Sequence, residues 1–240
     1  MNTKYLFGFV MLCITILTSC QKDELLYSCN PTIDKWAKDH LSEIGTMTRA
    51  QFLDLGEAYQ RAAFNAFPPQ QRINLWKEKL EETLQLEWTS SERSHIEALL
   101  NMVLKNNTWF ENVRSQEVIE HYEIETYRWN DDAINNLQWD LGTIYAITYT
   151  LSTVIKNNDK VLVVESPLSP SGANSIKTKS ESGGGGICEC HVGNFFSNLN
   201  CLFKSGFSVI CEDDDCWFVP AGCGSLCLQS CDGVCKYYNY

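Results

Sequence analysis

The chain predicts a mainly α fold: a helical bundle domain, then a flexible Gly/Ser linker, then a small disulfide-rich C-terminal module. Three observations predict it. Apolar residues recur at helical spacing, with capping signals, from Asn30 to Ile155. Four consecutive glycines, Gly183 to Gly186, close a Ser/Lys/Gly-rich stretch. Nine of the twelve cysteines fall between Cys188 and Cys235, and a segment of roughly 50 residues buries too little apolar surface to hold itself without bridges, a metal or a partner.

The boundaries follow in order. Residues 1–19 read as a signal peptide, with Lys4 ahead of the apolar run Tyr5 to Leu17, which is shorter than the roughly 20 residues a spanning helix needs. Leu17, Thr18, Ser19 and Cys20 resemble a bacterial lipobox, which implies acylation of Cys20 as the first mature residue. An ordinary secretory signal is the competing reading. Residues 20–29 form a tether. Its Gln21, Lys22, Asp23 and Glu24 resemble a short acidic surface-export tag, although a solvated linker reads the same way. The expected location is the bacterial outer membrane or cell surface, with the membrane reached through the N-terminal lipid. The remaining cysteines then mature outside the cytosol, where bridges persist.

The helical domain spans 30–160. Asn30 and Pro31 open a first helix carrying Ile33, Trp36, Ala37, Leu41 and Ile44 on one face. Thr48 with Gln51 forms a capping box before Phe52, Leu55, Tyr59, Ala62 and Ala66. Pro68 and Pro69 start a third helix bearing Ile73, Trp76, Leu80 and Leu84. Thr89 with Glu92 caps a fourth, with Ile96, Leu99, Leu100, Val103 and Leu104. A short helix is expected around Glu117 to Tyr127. A last one, capped by Asn130, is expected to run from Ile134 to Ile155. Six tryptophans (Trp36, Trp76, Trp88, Trp109, Trp129 and Trp139) lie at positions that suit core packing better than a ligand groove. His40, His95 and His121 show no metal-ligand spacing.

Val161 to Val164 read as one short strand at the start of the 161–187 linker. The glycine run also fits a double-glycine processing site, so both hinge and cleavage remain open. The module spans 188–240. Its acidic run Glu212 to Asp215 lacks the alternating oxygen ligands and glycine of a calcium loop. Cys223, Cys227, Cys231 and Cys235 sit four apart and would line up four thiolates on a helix. Zinc ligands, however, come more often as pairs from separate segments, and bridges suit the compartment better. The CxC pair Cys188 and Cys190 alone is a weak redox signal. No cofactor motif and no catalytic acid, base or nucleophile arrangement is legible, so an enzyme is not expected.

The order Cys188-Glu189-Cys190, Cys201, Cys211 and Cys216, Pro220-Ala221-Gly222-Cys223-Gly224, then Cys227, Cys231, Cys235 and the terminal tyrosines resembles the bacteriocin fulvocin C over the last 50 or so residues. In layout, the whole chain looks like the fulvocin C-related bacterial proteins. The resemblance implies an antibacterial polypeptide, displayed or cut free in the linker, acting on a target-cell surface receptor or envelope. It also implies a stapled body. Nine tail cysteines cannot all pair among themselves, and Cys29 would make the set even. The alternative is a surface binding or adhesion lipoprotein with a stapled recognition knob. The tail carries Lys204 and Lys236 against six carboxylates, a net -4, which excludes simple cationic attraction to lipid. The whole-chain charge of -11 excludes nucleic acid as an expected partner.

Overall fold

The computed structural model describes residues 25–157, 160–164, 190–192, 199, 201, 209–213 and 219–237. The signal peptide, Cys20, most of the linker, Cys188 and Cys216 lie outside the described residues. The protein is mostly helical, with small two-stranded sheets and disulfide-linked cysteines toward the C-terminus.

The helices start where the caps place them. α1 (Pro31–Asp39) begins with the Asn30 side chain accepting from the Thr32 and Ile33 amides. His40 then interrupts it before α2 (Leu41–Ile44). The Thr48–Gln51 capping box opens α3 (Arg49–Leu53), but the expected single helix breaks, and α4 (Glu57–Ala66) restarts from Gly56. α5 (Pro69–Thr83) starts at the double proline, and α6 (Ser90–Lys105) starts from the Thr89–Glu92 capping box. A 3-10 turn over Asn107–Phe110 leads into α7 (Gln116–Asn135), capped by Ser115.

Two expectations fail beyond that point. α7 runs through Asn130, which is therefore a buried mid-helix residue and not a cap. The anticipated long last helix is cut by Gln138, whose φ of 58° sits in the left-handed region. Trp139 N–H returns to the Ala133 carbonyl at 3.0 Å, and Asp140 Oδ1 accepts from the Thr143 amide at 2.7 Å to start α8 (Leu141–Thr148). Ile155 lies in a strand instead. β1 (Val154–Asn157) pairs antiparallel with β2 (Lys160–Val163), Val154 opposite Val163. Val154 and Val161 pack with Ala146.

One core joins the helices. Trp76, Trp109, Trp129 and Trp139 are buried in it, and Trp36 and Trp88 pack against it, so all six tryptophans serve the interior. The histidines are held locally: His40 by the Trp36 carbonyl, His95 by that of Trp129, and His121 by the Trp109 indole.

Three cations, Arg72 and Lys79 buried and Arg93 partly buried, cover helix C-termini, where carbonyls lack intrahelical partners. Arg72 donates to the Phe64 and Asn65 carbonyls at the end of α4. Arg93 reaches the Leu84 and Leu86 carbonyls past α5. Lys79, fully buried, donates to the carbonyls of Ala146, Ile147 and Thr150 at the end of α8.

The tail forms two antiparallel pairs. β3 (Val209–Asp213) lies against β6 (Gly233–Tyr237) with Cys211 opposite Cys235. β4 (Val219–Cys223) lies against β5 (Gln229–Cys231), with a register shift between Val219 and Cys223. A 3-10 turn, Ser225–Cys227, links β4 to β5. The disulfide-linked tail is also tied to the helices. Leu226 and Leu228, together with Leu199, belong to the same core as the helices, because the turn's apolar side chains find a wall of helix to bury against.

Candidate functional site

Two features of the C-terminal head carry chemistry: the seam where it enters the helical body and the sulfur cluster above that seam. At the seam the Pro220–Gly224 motif earns its glycines. Gly222 has φ 109°, and a Cβ there would meet Asn65 Nδ2 of α4 at 3.2 Å. Gly224 has φ 67°, and a Cβ there would lie 1.8 Å from Gln229 Oε1. The chain then passes through Leu226 and Cys227, both at positive φ, and four hydrogen bonds from the body receive it. Asn65 Nδ2 donates to the Ala221 carbonyl at 2.7 Å and Arg114 to that of Leu228 at 2.7 Å. Tyr122 OH donates to the Ser225 carbonyl, and Asn130 Nδ2 donates to Ser225 Oγ at 3.3 Å.

Cys227, a bridge candidate from spacing, is instead a thiol whose sulfur faces the Tyr149 carbonyl at 4.0 Å. Burial pushes this thiol up to about 12, and burial likewise raises the phenols of Tyr122 and Tyr149. In the unfolded chain these groups release protons from about pH 9 and 10, while the folded chain retains them, so the fold loses stability as pH climbs through that range. Lys79 runs the other way. Burial lowers it in the fold, so its contribution makes stability rise with pH until the ordinary lysine value, near 10.5, is passed. The expected result is a melting temperature that falls steeply only above about pH 10.5, with Tyr122→Phe flattening the fall. A flat alkaline profile in the parent protein would contradict this account of the seam.

Three bridges are present among the described residues: Cys190–Cys211, Cys201–Cys235 and Cys223–Cys231. Cys223–Cys231 ties β4 to β5, and Cys29 packs on it together with Val219. Thus the tether end of the chain reaches the tail, although the two are far apart in sequence. The sets spaced four apart do not gather: Cys223, Cys227, Cys231 and Cys235 lie on strands and a turn, and two of them bond to each other. A different set does. The sulfurs of Cys190, Cys201 and Cys211 lie within 4.8 Å of one another, and Cys235 is bonded to Cys201.

Beside the cluster, Ser230, His191 and Asp232 meet, but not as a proton relay. Ser230 Oγ and Asp232 Oδ2 both approach the same ring nitrogen, His191 Nδ1, at 2.9 and 3.0 Å, whereas a relay needs them on opposite nitrogens. Glu212, from the acidic run, pairs with Lys236 across the ribbon at 3.2 Å. A cavity of about 10 Å³ lies between Tyr27, Cys29, Arg61, Asn65, Val219 and Cys231, which is room for one water and no organic ligand. No helix among the described residues is long and apolar enough to cross a membrane.

Comparisons with protein-family models, with curated proteins and with solved structures find no match for this chain. The sequence features that had no signal for this site were the buried polar groups of the body, Asn65, Tyr122 and Asn130. Read alone, they are ordinary helix-face residues.

Proposed function

We propose that the chain is a bacteriocin-type antibacterial protein of the fulvocin C-related kind, held at the outer membrane or cell surface through an acylated Cys20. Its disulfide-braced head is the active part. The observation that carries the reading is the double character of that head: an inner turn, Ser225 to Leu228, sunk into the helical core, and an outer ribbon, β3 and β6, braced by two bridges. Cutting the linker would not by itself release such a head, since separation exposes Leu226 and Leu228. The head therefore acts while seated on the body, against a receptor or envelope component of a target cell, without nucleic acid and without catalysis.

The same seating supports a second reading, a binding or adhesion lipoprotein that presents the ribbon on a firm base and harms nothing. Oxidised full-length protein applied to related strains separates the two. Growth inhibition is expected, and it should vanish on treatment with a reductant or in the Cys223→Ser, Cys235→Ser variant. Inhibition that survives both removes the braced head from the mechanism. Binding to cells without inhibition selects the adhesion reading.

A further inference from the structure

The clustered sulfurs point to a site beyond that reading. We propose that Cys190, Cys201, Cys211 and Cys235 form a tetrathiolate site for a thiophilic divalent cation, Zn²⁺, which the head takes up when the Cys190–Cys211 and Cys201–Cys235 bridges are reduced.

The geometry argues for it in three ways. First, the sulfurs already converge. A tetrahedral zinc with Zn–S bonds of about 2.3 Å places its ligand sulfurs roughly 3.8 Å apart. The Cys190, Cys201 and Cys211 sulfurs lie within 4.8 Å of one another, with Cys235 Sγ 2.10 Å from that of Cys201. Opening the two bonds and parting each bonded pair, now 1.97 and 2.10 Å apart, by less than about 2 Å gives the tetrahedral spacing within those pairs, while Cys235 Sγ, outside the 4.8 Å group, swings in toward the Cys190 and Cys211 sulfurs.

Second, the ligands are seated by contacts other than sulfur bonds. The Cys190 amide donates to the Gly233 carbonyl at 3.2 Å, and the Cys190 carbonyl accepts from the amides of Asp232 and Gly233 at 3.1 and 3.0 Å. Cys211 and Cys235 face each other in the β3–β6 register. Cys201 follows Leu199, which is buried in the body's core. These restraints outlast reduction.

Third, the surroundings fit a closed metal centre. Cys190 and Cys201 are fully buried, Cys211 is 7% exposed, and Cys235 is partly buried against them. Gly233 carries no side chain where a Cβ would stand 2.7 Å from Cys211 Sγ. The ligands come from separated segments and are all sulfur, the donor set that selects zinc over hard cations.

The chemistry balances with a dithiol as reductant. Each bridge accepts two electrons and two protons from one dithiol, which closes to its own disulfide. Zn²⁺ then displaces one proton from each of the four thiols. In the reverse direction two equivalents of the oxidised dithiol take the four electrons from the thiolates by disulfide exchange, becoming dithiol again as the two bridges re-form and the ion is expelled.

The test uses the full chain, reduced under argon with a phosphine, desalted, and titrated with Co²⁺ followed by Zn²⁺. The expected result is one equivalent of Co²⁺ with the visible and near-ultraviolet bands of tetrahedral thiolate coordination, displaced by one equivalent of Zn²⁺. Cys201→Ser and Cys211→Ser should each weaken binding about a hundredfold, on the order of one ligand's share of a structural zinc site. The Cys223→Ser, Cys231→Ser variant should keep both spectrum and stoichiometry. Absence of the thiolate bands, their persistence in Cys211→Ser, or their loss in the Cys223/Cys231 variant overturns the proposal. Far-ultraviolet circular dichroism accompanies each sample. A reduced chain that has lost its helical signal also counts against the proposal, which requires the arms to stay seated without the bridges. Failure here leaves the antibacterial reading standing, because that reading concerns the oxidised head.

Discussion

Replacing Lys79 with methionine should destabilise the fold by about 3 kcal/mol or more. The ammonium stands fully buried, and three carbonyls from the end of α8 and the residues after it accept from it. Three acceptors require three hydrogens, which only the charged form supplies, although burial works to lower its proton affinity. Its remaining face lies 5.0 Å from the Trp76 ring centroid. Methionine matches the shape of the stem and relieves the cost of burying a charge. It still leaves three carbonyls without partners, each costing on the order of 1–3 kcal/mol. The deficit outweighs the relief and is a large share of the roughly 5–15 kcal/mol that holds a domain. Urea unfolding followed by tryptophan fluorescence measures it. A midpoint within error of the parent protein would mean that Lys79 does not clamp α8 to α5.

The second large effect is expected at Leu226. Its side chain is fully buried among helical residues while its backbone sits at φ 53°, ψ 15°. Leu226→Ala should cost about 2–5 kcal/mol through lost burial and the cavity left behind. Leu226→Asp should cost more, because it drives a carboxylate into an apolar wall. The backbone is not the cause in either case. Aspartate tolerates left-handed φ better than leucine does, so a conformational account predicts that Leu226→Asp is the milder variant. Limited proteolysis supplies the spatial reading: the aspartate variant should be cut within 219–231 while α5 and α6 stay protected. If Leu226→Asp unfolds at the same urea concentration as the parent protein, the head is not part of the core.

Much of the helical body was legible, and the reason is local. Asn30, Thr48 with Gln51, Pro68 with Pro69, and Thr89 with Glu92 are caps whose hydrogen bonds lie within a few residues, so the sequence carries the whole signal. The failure at Gln138 is equally instructive. Apolar spacing continues across it from Ile134 to Ile144, with neither glycine nor proline to mark the turn, and the break is made by a left-handed Gln138 whose neighbour Trp139 bonds back six residues to Ala133. The Asp140 cap was a usable clue. Lys79 and Arg72 were missed because a cation reads as solvent-facing. Their positions three beyond and four before Trp76, on the buried face of α5, were the available signal. In the tail, cysteine content indicated bridging, but which sulfurs meet depends on segments brought together by the fold. No spacing rule separates Cys190–Cys211 from its alternatives.

The hydrogen bond from Asn65 to Ala221 joins residues 156 apart, and Tyr122 reaches across 103 residues to Ser225. A growing polypeptide therefore makes its caps and helices early yet lacks one wall of its interior until Leu226 and Leu228 have emerged. Truncation near the end is then an injury to the beginning as well. A ribosome that stops before Leu226 yields a bundle with a bare apolar hole, fit for degradation rather than a shortened working protein. Maturation of the entire body thus waits on two leucines, Leu226 and Leu228.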